Sequence, residues 1–345
     1  MRALTISAHG GLEQLDLRSD VAEPVVTAGA VRVRIAAAAL NHLDLFTLGG
    51  LPGVNIVPPW IMGADGAGVI ESVGDGVTEV AAGDSVVINP GLSDGTCEYC
   101  RRGEQSECIR FRLLGEHAPG TIAEYVVVPA GNVRKIAGSA DMNSAAAFTL
   151  ATLTAWRMVR TRARVESQDE VLIWGIGGGV AQAALKICKE IGARVWVTSG
   201  SDEKLERARQ MGADETLNHR TMNVAKEIRA RTGKRGVTVV IDSVGRATWD
   251  SSLGALGRAG RLVTCGGTSG AIVETDVRRL FWNQWTIMGS TMGNDSEFDA
   301  VVKAFNEGRL VPTIDSVFSM ADGKAAFARM ASGDQFGKIV VSISE

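Results

Sequence analysis

Aromatic side chains make up only 5% of these 345 residues, while 41 positions are glycine. With a hydrophobic share of 45%, the chain has the apolar matter for a sizeable core. Few rings and many small residues suit close packing of helices on a parallel sheet, and they exclude a collagen-like or disordered chain. No basic run with interleaved aromatics occurs. The net charge is -3 with both signs interspersed, which argues against nucleic-acid binding. No apolar run approaches the ~18 residues that a membrane span needs. The opening Met-Arg-Ala-Leu-Thr-Ile-Ser lacks the apolar core of a secretory signal. Five cysteines, three of them clustered, fit a reducing compartment and a metal site better than a disulfide framework. The expectation is a soluble, cytoplasmic protein that acts on a small molecule.

The most informative stretch runs from Asp94 to Cys108. Cys97 and Cys100 share a Cys-x-x-Cys spacing, Asp94 precedes them and Cys108 follows. Such a spacing puts two thiolates on one ion, and Asp94 and Cys108 complete a tetrahedral set. Four protein ligands leave no open position, so a metal here staples a loop and activates no substrate. The chemistry must lie elsewhere.

Residues 1–140 read as short alternating strands between turn-rich loops, including 31–35, 68–73, 85–88 and 123–128. The texture changes near Asp141. An Ala-rich helix over 143–160 leads into strand and helix alternation: strand 171–174, helix 180–191, strand 194–198, helix 204–211, strand 237–241, helix 251–256 and strand 262–264. That order predicts a doubly wound parallel sheet. Helices over 297–307 and 323–332 and a strand over 338–344 close the chain. The expected division is 1–140 as a β-rich domain completed by 288–345, around a dinucleotide-binding domain at 141–287.

After strand 171–174 comes Gly175-Ile-Gly177-Gly178-Gly179-Val180-Ala181, at the start of a helix. A pyrophosphate needs backbone N–H groups at a helix N-terminus with no Cβ in the way. The turn is one residue longer than the common form. Its setting between strand and helix is what makes it specific. At the end of the second strand, the place of a ribose-binding carboxylate is taken by Ser199, followed by Gly200 and, further on, Lys204. His219 and Arg220 follow the next strand. A hydroxyl with nearby cations suits a 2′-phosphate, so the cofactor expected is NADPH.

With these motifs in view, the chain resembles the medium-chain dehydrogenase/reductase superfamily over essentially its whole length, most strongly its zinc-type alcohol dehydrogenase-like and quinone oxidoreductase-like members. Gly63-Ala64-Asp65-Gly66-Ala67-Gly68, with Gly74 and Val77, matches the glycine framework of the superfamily's zinc signature. Asp94, Cys97, Cys100 and Cys108 match its structural-zinc lobe, with Asp94 where a fourth cysteine is usual. The resemblance implies a Rossmann domain with a GroES-like (chaperonin-10-like) catalytic domain, one structural zinc, and a homodimer or higher homo-oligomer.

The departures bear on mechanism. The family's catalytic zinc is held by a Cys, the His of a Gly-His-Glu and a later Cys or acidic residue. Here those places read Asn41, Ala64 (in Gly63-Ala64-Asp65) and a stretch 148–152 with no thiol or carboxylate. His42 and Asp65 alone make no adequate zinc site. That points to the zinc-independent chemistry of enone and quinone reductases, with a hydride entering an activated double bond or a quinone. In that reading the amide of Asn41 donates to the developing enolate, and His42 gives the proton. The family puts the 41–44 loop beside the nicotinamide and a hydroxyl at Thr154 near it. Ser243, Val244, Cys265, Gly266, Gly267, Ser290 and Thr291 resemble the residues that line the carboxamide end. An NADP-linked alcohol dehydrogenase or aldehyde reductase, and a non-catalytic NADPH-binding protein, are the alternatives.

Overall fold

The strand Glu170–Ile173 carries Val171, Leu172 and Ile173, all wholly buried, and Val195, Trp196 and Val197 of the next strand are equally buried. Continuous apolar runs of this kind belong to a parallel sheet covered on both faces. A computed structural model, which describes residues 1–343, bears this out. Six parallel strands stand in the order 215–218, 194–199, 170–173, 237–242, 256–264 and 286–289. Read in chain order this is 3-2-1-4-5-6, the doubly wound pattern, whose reversal beside the first strand opens a ligand crevice at the strands' carboxyl ends. Helices Gly179–Ile191, Asp202–Gln210 and Trp249–Ala255 fall within two residues of the expected bounds. Val224–Arg231 and Val277–Asn283 are further helices with no assignment from sequence.

The chain divides into two compact units: Thr154–Met292, which holds this sheet, and Met1–Leu153 with Gly293 onward. The second unit is built on a seven-stranded sheet. Its main path runs through 133–135, 85–88, 65–73, 30–39, 338–342 and 314–319, and Tyr125–Pro129 also pairs with Ala30–Ala39. Its core includes Ile35, Leu40, Met62, Ile70, Ile88 and Phe327, each under 2% exposed. The strand Lys338–Ser342 is central: it lies antiparallel to 30–39 and parallel to 314–319. Ser344, expected in this strand, lies outside the described residues.

Two local expectations need correction. The segment 41–44 is not a loop: His42–Gly49 is a helix, with Asn41 as its N-cap in extended backbone. The backbone N–H of Asn41 is taken by the Asp44 carboxylate at 2.7 Å, which fixes the helix start. The helix expected over 143–160 is α-helical over Met142–Trp156 and then widens into a π-helical turn over Arg157–Arg162. Phe281 and Trp282 are 63% and 67% exposed, whereas Trp285 is buried. No helix of the described residues is long and apolar enough to cross a membrane.

Candidate functional site

The nucleotide turn forms where the first parallel strand ends. Gly175 has φ +69, a left-handed conformation that glycine adopts without strain. Gly178 N-caps the helix Gly179–Ile191 at φ -86, so its backbone does not require glycine. Nor does protein packing: a Cβ there would meet nothing nearer than 3.6 Å. The open space lies at a helix N-terminus, where backbone donors and the helix dipole favour a phosphate. The residues present therefore fit a dinucleotide.

Ser199, Ser243, Val244, Cys265, Gly266, Gly267, Ser290 and Thr291 all fall at or just beyond the carboxyl ends of these strands, on the same edge of the sheet as the glycine turn. Val180 lies in the helix that follows the turn. Ser199 accepts the N–H of Ser201 at 3.1 Å, and Ser201 in turn caps Lys204. Trp174 lies beside His219, ring centres 6.2 Å apart. Partial burial, then Arg220, holds His219 below its ordinary pKa. The guanidinium of Arg220 crosses Gly200 so closely that a Cβ there would lie 2.6 Å from its Nε. Thr154 is buried, and among the described residues its hydroxyl meets only a sulfur, Met292 Sδ at 3.7 Å. The Ser290 hydroxyl is buried with no partner among the described residues.

The metal lobe is compact. The ligand atoms of Asp94, Cys97, Cys100 and Cys108 all lie within 4.8 Å of one another. Asp94 Oδ1 accepts the N–H groups of Thr96 and Cys97 at 2.8 and 2.9 Å, which hold its carboxyl well below the usual range. Its Oδ2 is buried with no hydrogen bond among the described residues, and the exposed Arg110 stands 3.7 Å off. Backbone N–H groups of Asp94 and Arg110 point at Cys108 Sγ from 3.4 and 3.3 Å. Burial and the neighbouring thiols push Cys100 up to about 11. One oxygen and three sulfurs converging with an orphaned carboxylate oxygen fit a closed tetrahedral zinc site.

The third cluster includes Asn41 and Asp65, from the two segments that the resemblance aligns with catalytic-zinc ligands. Asp65, fully buried, accepts from Thr149 Oγ1 and the Leu150 N–H on one oxygen. On the other it accepts Asn41 Nδ2 at 2.9 Å and Lys338 Nζ at 3.0 Å. Lys338 Nζ also donates to Asn41 Oδ1 at 2.6 Å, and its side chain is 4% exposed. Burial raises the buried Asp44 to about 7 against the opposing pull of the Asn41 N–H and Lys338. His42 is open to solvent on one side, yet desolvation and the charge of Lys338 hold its pKa below the ordinary value. Asn41, Asp65 and Lys338 bond one another, with no thiol or imidazole among them, so they do not fit a zinc site. Thr149, from the stretch searched for a third ligand, serves Asp65. Lys338 escaped the sequence reading; its signal was a lone cation opening an otherwise apolar strand, Lys338-Ile-Val-Val.

Comparison with known proteins agrees with both units. Residues 27–138 match the alcohol dehydrogenase GroES-like domain, and residues 179–307 match the zinc-binding dehydrogenase family. The chain belongs to the medium-chain dehydrogenase/reductase superfamily. As such it is an oxidoreductase, a GroES-like domain joined to a Rossmann sheet. An alcohol dehydrogenase of Geobacillus stearothermophilus is 32% identical, covering 94% of this chain and 95% of its own. A human (Homo sapiens) quinone oxidoreductase is 27% identical over 99% of this chain and 97% of its own. A crystal structure of an NAD-dependent alcohol dehydrogenase superposes with a TM-score of 0.95 at 40% identity, covering all of both chains.

Proposed function

We propose that this protein is an NADPH-dependent reductase of activated double bonds, such as α,β-unsaturated carbonyl compounds, or of quinones, and that it works without a catalytic metal. The observation that carries the reading is the ammonium of Lys338 bonded to Asn41 and Asp65 in the place of the metal. Without a Lewis acid, an unactivated alcohol or ketone is a poor substrate. Held at the glycine turn, NADPH would supply the hydride for the acceptor's β-carbon; the acceptor's C=C pair would pass to its carbonyl oxygen, and a solvent proton would complete the reduction. The chain then has to orient the acceptor, offer donors to the oxygen and pass on the proton. Asn41 is assigned as donor, His42 as proton carrier and Thr154 as a hydroxyl beside the nicotinamide. With its pKa below the ordinary value, His42 is neutral at pH 7 and relays a proton rather than storing one. NADPH oxidation is expected with enones, enoyl thioesters or quinones in a panel that also holds aldehydes. An aldehyde-only profile sinks the reading.

The preference for NADPH rests on the adenine end. The strand Arg194–Ser199 ends without a carboxylate, and Asp202 is engaged by Asn218 Nδ2 at 2.7 Å. Arg220 is exposed with no ion-pair partner among the described residues, which suits a 2′-phosphate. Charge-assisted hydrogen bonds contribute ~1.5–3 kcal/mol. Arg220→Ala should therefore raise the Kd for NADPH about tenfold or more and leave NADH binding unchanged. Equal weakening for both cofactors in a fluorescence titration counts against it.

The names of the relatives favour a second reading, a true alcohol dehydrogenase. Two zincs per chain and NAD(P)-linked alcohol oxidation would establish that one.

A further inference from the structure

We infer that Lys338 is a positioning residue that acts through Asn41, fixing its amide so that one N–H meets the carbonyl oxygen of the acceptor. This deepens, and rests on, the reductase reading above. An asparagine amide can face either way unless its neighbours distinguish oxygen from nitrogen. Here both neighbours do. Lys338 Nζ can only donate, and it meets Oδ1 at 2.6 Å; the Asp65 carboxylate can only accept, and it meets Nδ2 at 2.9 Å. Turning the amide over would set nitrogen against ammonium and oxygen against carboxylate. Asp65 is itself held by Thr149 and Leu150, so the triangle is anchored to the helix Met142–Trp156.

The triangle leaves one donor in reserve. Among the described residues, the second hydrogen of Asn41 Nδ2 has only the Ala39 carbonyl, at 3.5 Å, the far limit for a hydrogen bond. Asn41 is also the most exposed of the three, at 8% against 4% for the Lys338 side chain and none for Asp65. An ammonium on Oδ1 polarises the amide and strengthens its N–H as a donor. Stability alone is a weak reason for the arrangement, because a buried ion pair often adds little over an apolar replacement. A pre-aimed donor is the kind of group that stabilises a developing oxyanion, and losing one costs ~10²–10³ in kcat.

The test is steady-state kinetics on the purified full-length protein, with NADPH and either cyclohex-2-enone or benzoquinone. Asn41→Ala and Lys338→Met should each lower kcat about 100-fold. The KM for NADPH should stay unchanged. Lys338→Arg should recover to within about tenfold of wild type, because it keeps the charge. The double variant N41A/K338M should be no slower than N41A alone. Should K338M fail to fold, D65N/K338M removes both charges together and is compared with D65N. Losses that multiply in the double variant, or a K338M enzyme at more than half the wild-type rate, overturn the role of Lys338 and leave the reductase reading standing. No turnover of either acceptor by the wild-type protein overturns both.

Discussion

Asp65→Ala is expected to destabilise the protein by about 3–5 kcal/mol, the usual cost of stranding one member of a buried ion pair. Four donors converge on this fully buried carboxylate: Thr149 Oγ1, the Leu150 N–H, Asn41 Nδ2 and Lys338 Nζ. Alanine leaves all four without their acceptor. The ammonium of Lys338 suffers most, because its one remaining bond among the described residues is to the amide oxygen of Asn41. Asp65→Asn should lose less, since its oxygen still serves two of the donors. Asp65→Leu with Lys338→Met, which removes both charges, should recover most of the loss. Urea unfolding followed by tryptophan fluorescence measures the series. A loss below about 1 kcal/mol for Asp65→Ala would mean that water reaches the cluster.

Cys100→Ser should abolish metal binding outright. Wild-type protein washed with a chelator is expected to keep about one zinc per chain, and the variant almost none. Structural zinc contributes ~10–16 kcal/mol to small domains that depend on it. The lobe has little else to hold its shape, since besides the ligands 94–108 contains one four-residue helix and one 3-10 turn. What the metal secures reaches further. Glu104 meets Asn294 Nδ2 at 3.4 Å and Gln105 meets the Asp295 N–H at 3.3 Å, which ties the lobe to the start of the helix Asp295–Asn306. Hydrogen exchange should therefore quicken across 94–108 and at 294–297 in the variant, while the parallel sheet is unaffected. A wild-type protein with well under one zinc per chain would falsify the site.

Much of this was legible in the sequence because the signals were local. The alternation of strands and helices, the glycine turn and the cysteine spacing each occupy a short window whose physics is self-contained. Helix Gly323–Ser332 appears with the bounds its pattern predicts. The helix that begins at 42 is hidden in the sequence because its capping depends on Asp44 folding back to the Asn41 N–H, a bond that apolar periodicity does not record. The largest omission was Lys338. A lone cation at the head of an apolar strand reads as a solvated end, and only the pairing of that strand with 30–39 brings it to Asn41 and Asp65. Strand register is a property of two distant segments, so neither announces it. Sequence alone presents the amide of Asn41 as a free donor; the fold commits most of it and leaves a single N–H.

The cation of this site is supplied long after the residues it joins. Asn41 and Lys338 are 297 residues apart in sequence. At ~5–20 residues per second, a ribosome takes roughly 15–60 s to travel between them. Through that interval a nascent GroES-like unit would lack the Lys338 partner of Asp65 and the strand that pairs with residues 37–39, while 30–34 can already pair with 125–129. The nucleotide sheet, whose strands all precede residue 290, can close first. On the reductase reading, birth order thus places completion of the nucleotide sheet ahead of the Asn41–Asp65–Lys338 triangle, and a fragment that stops before residue 338 is expected to bind cofactor without reducing the acceptor.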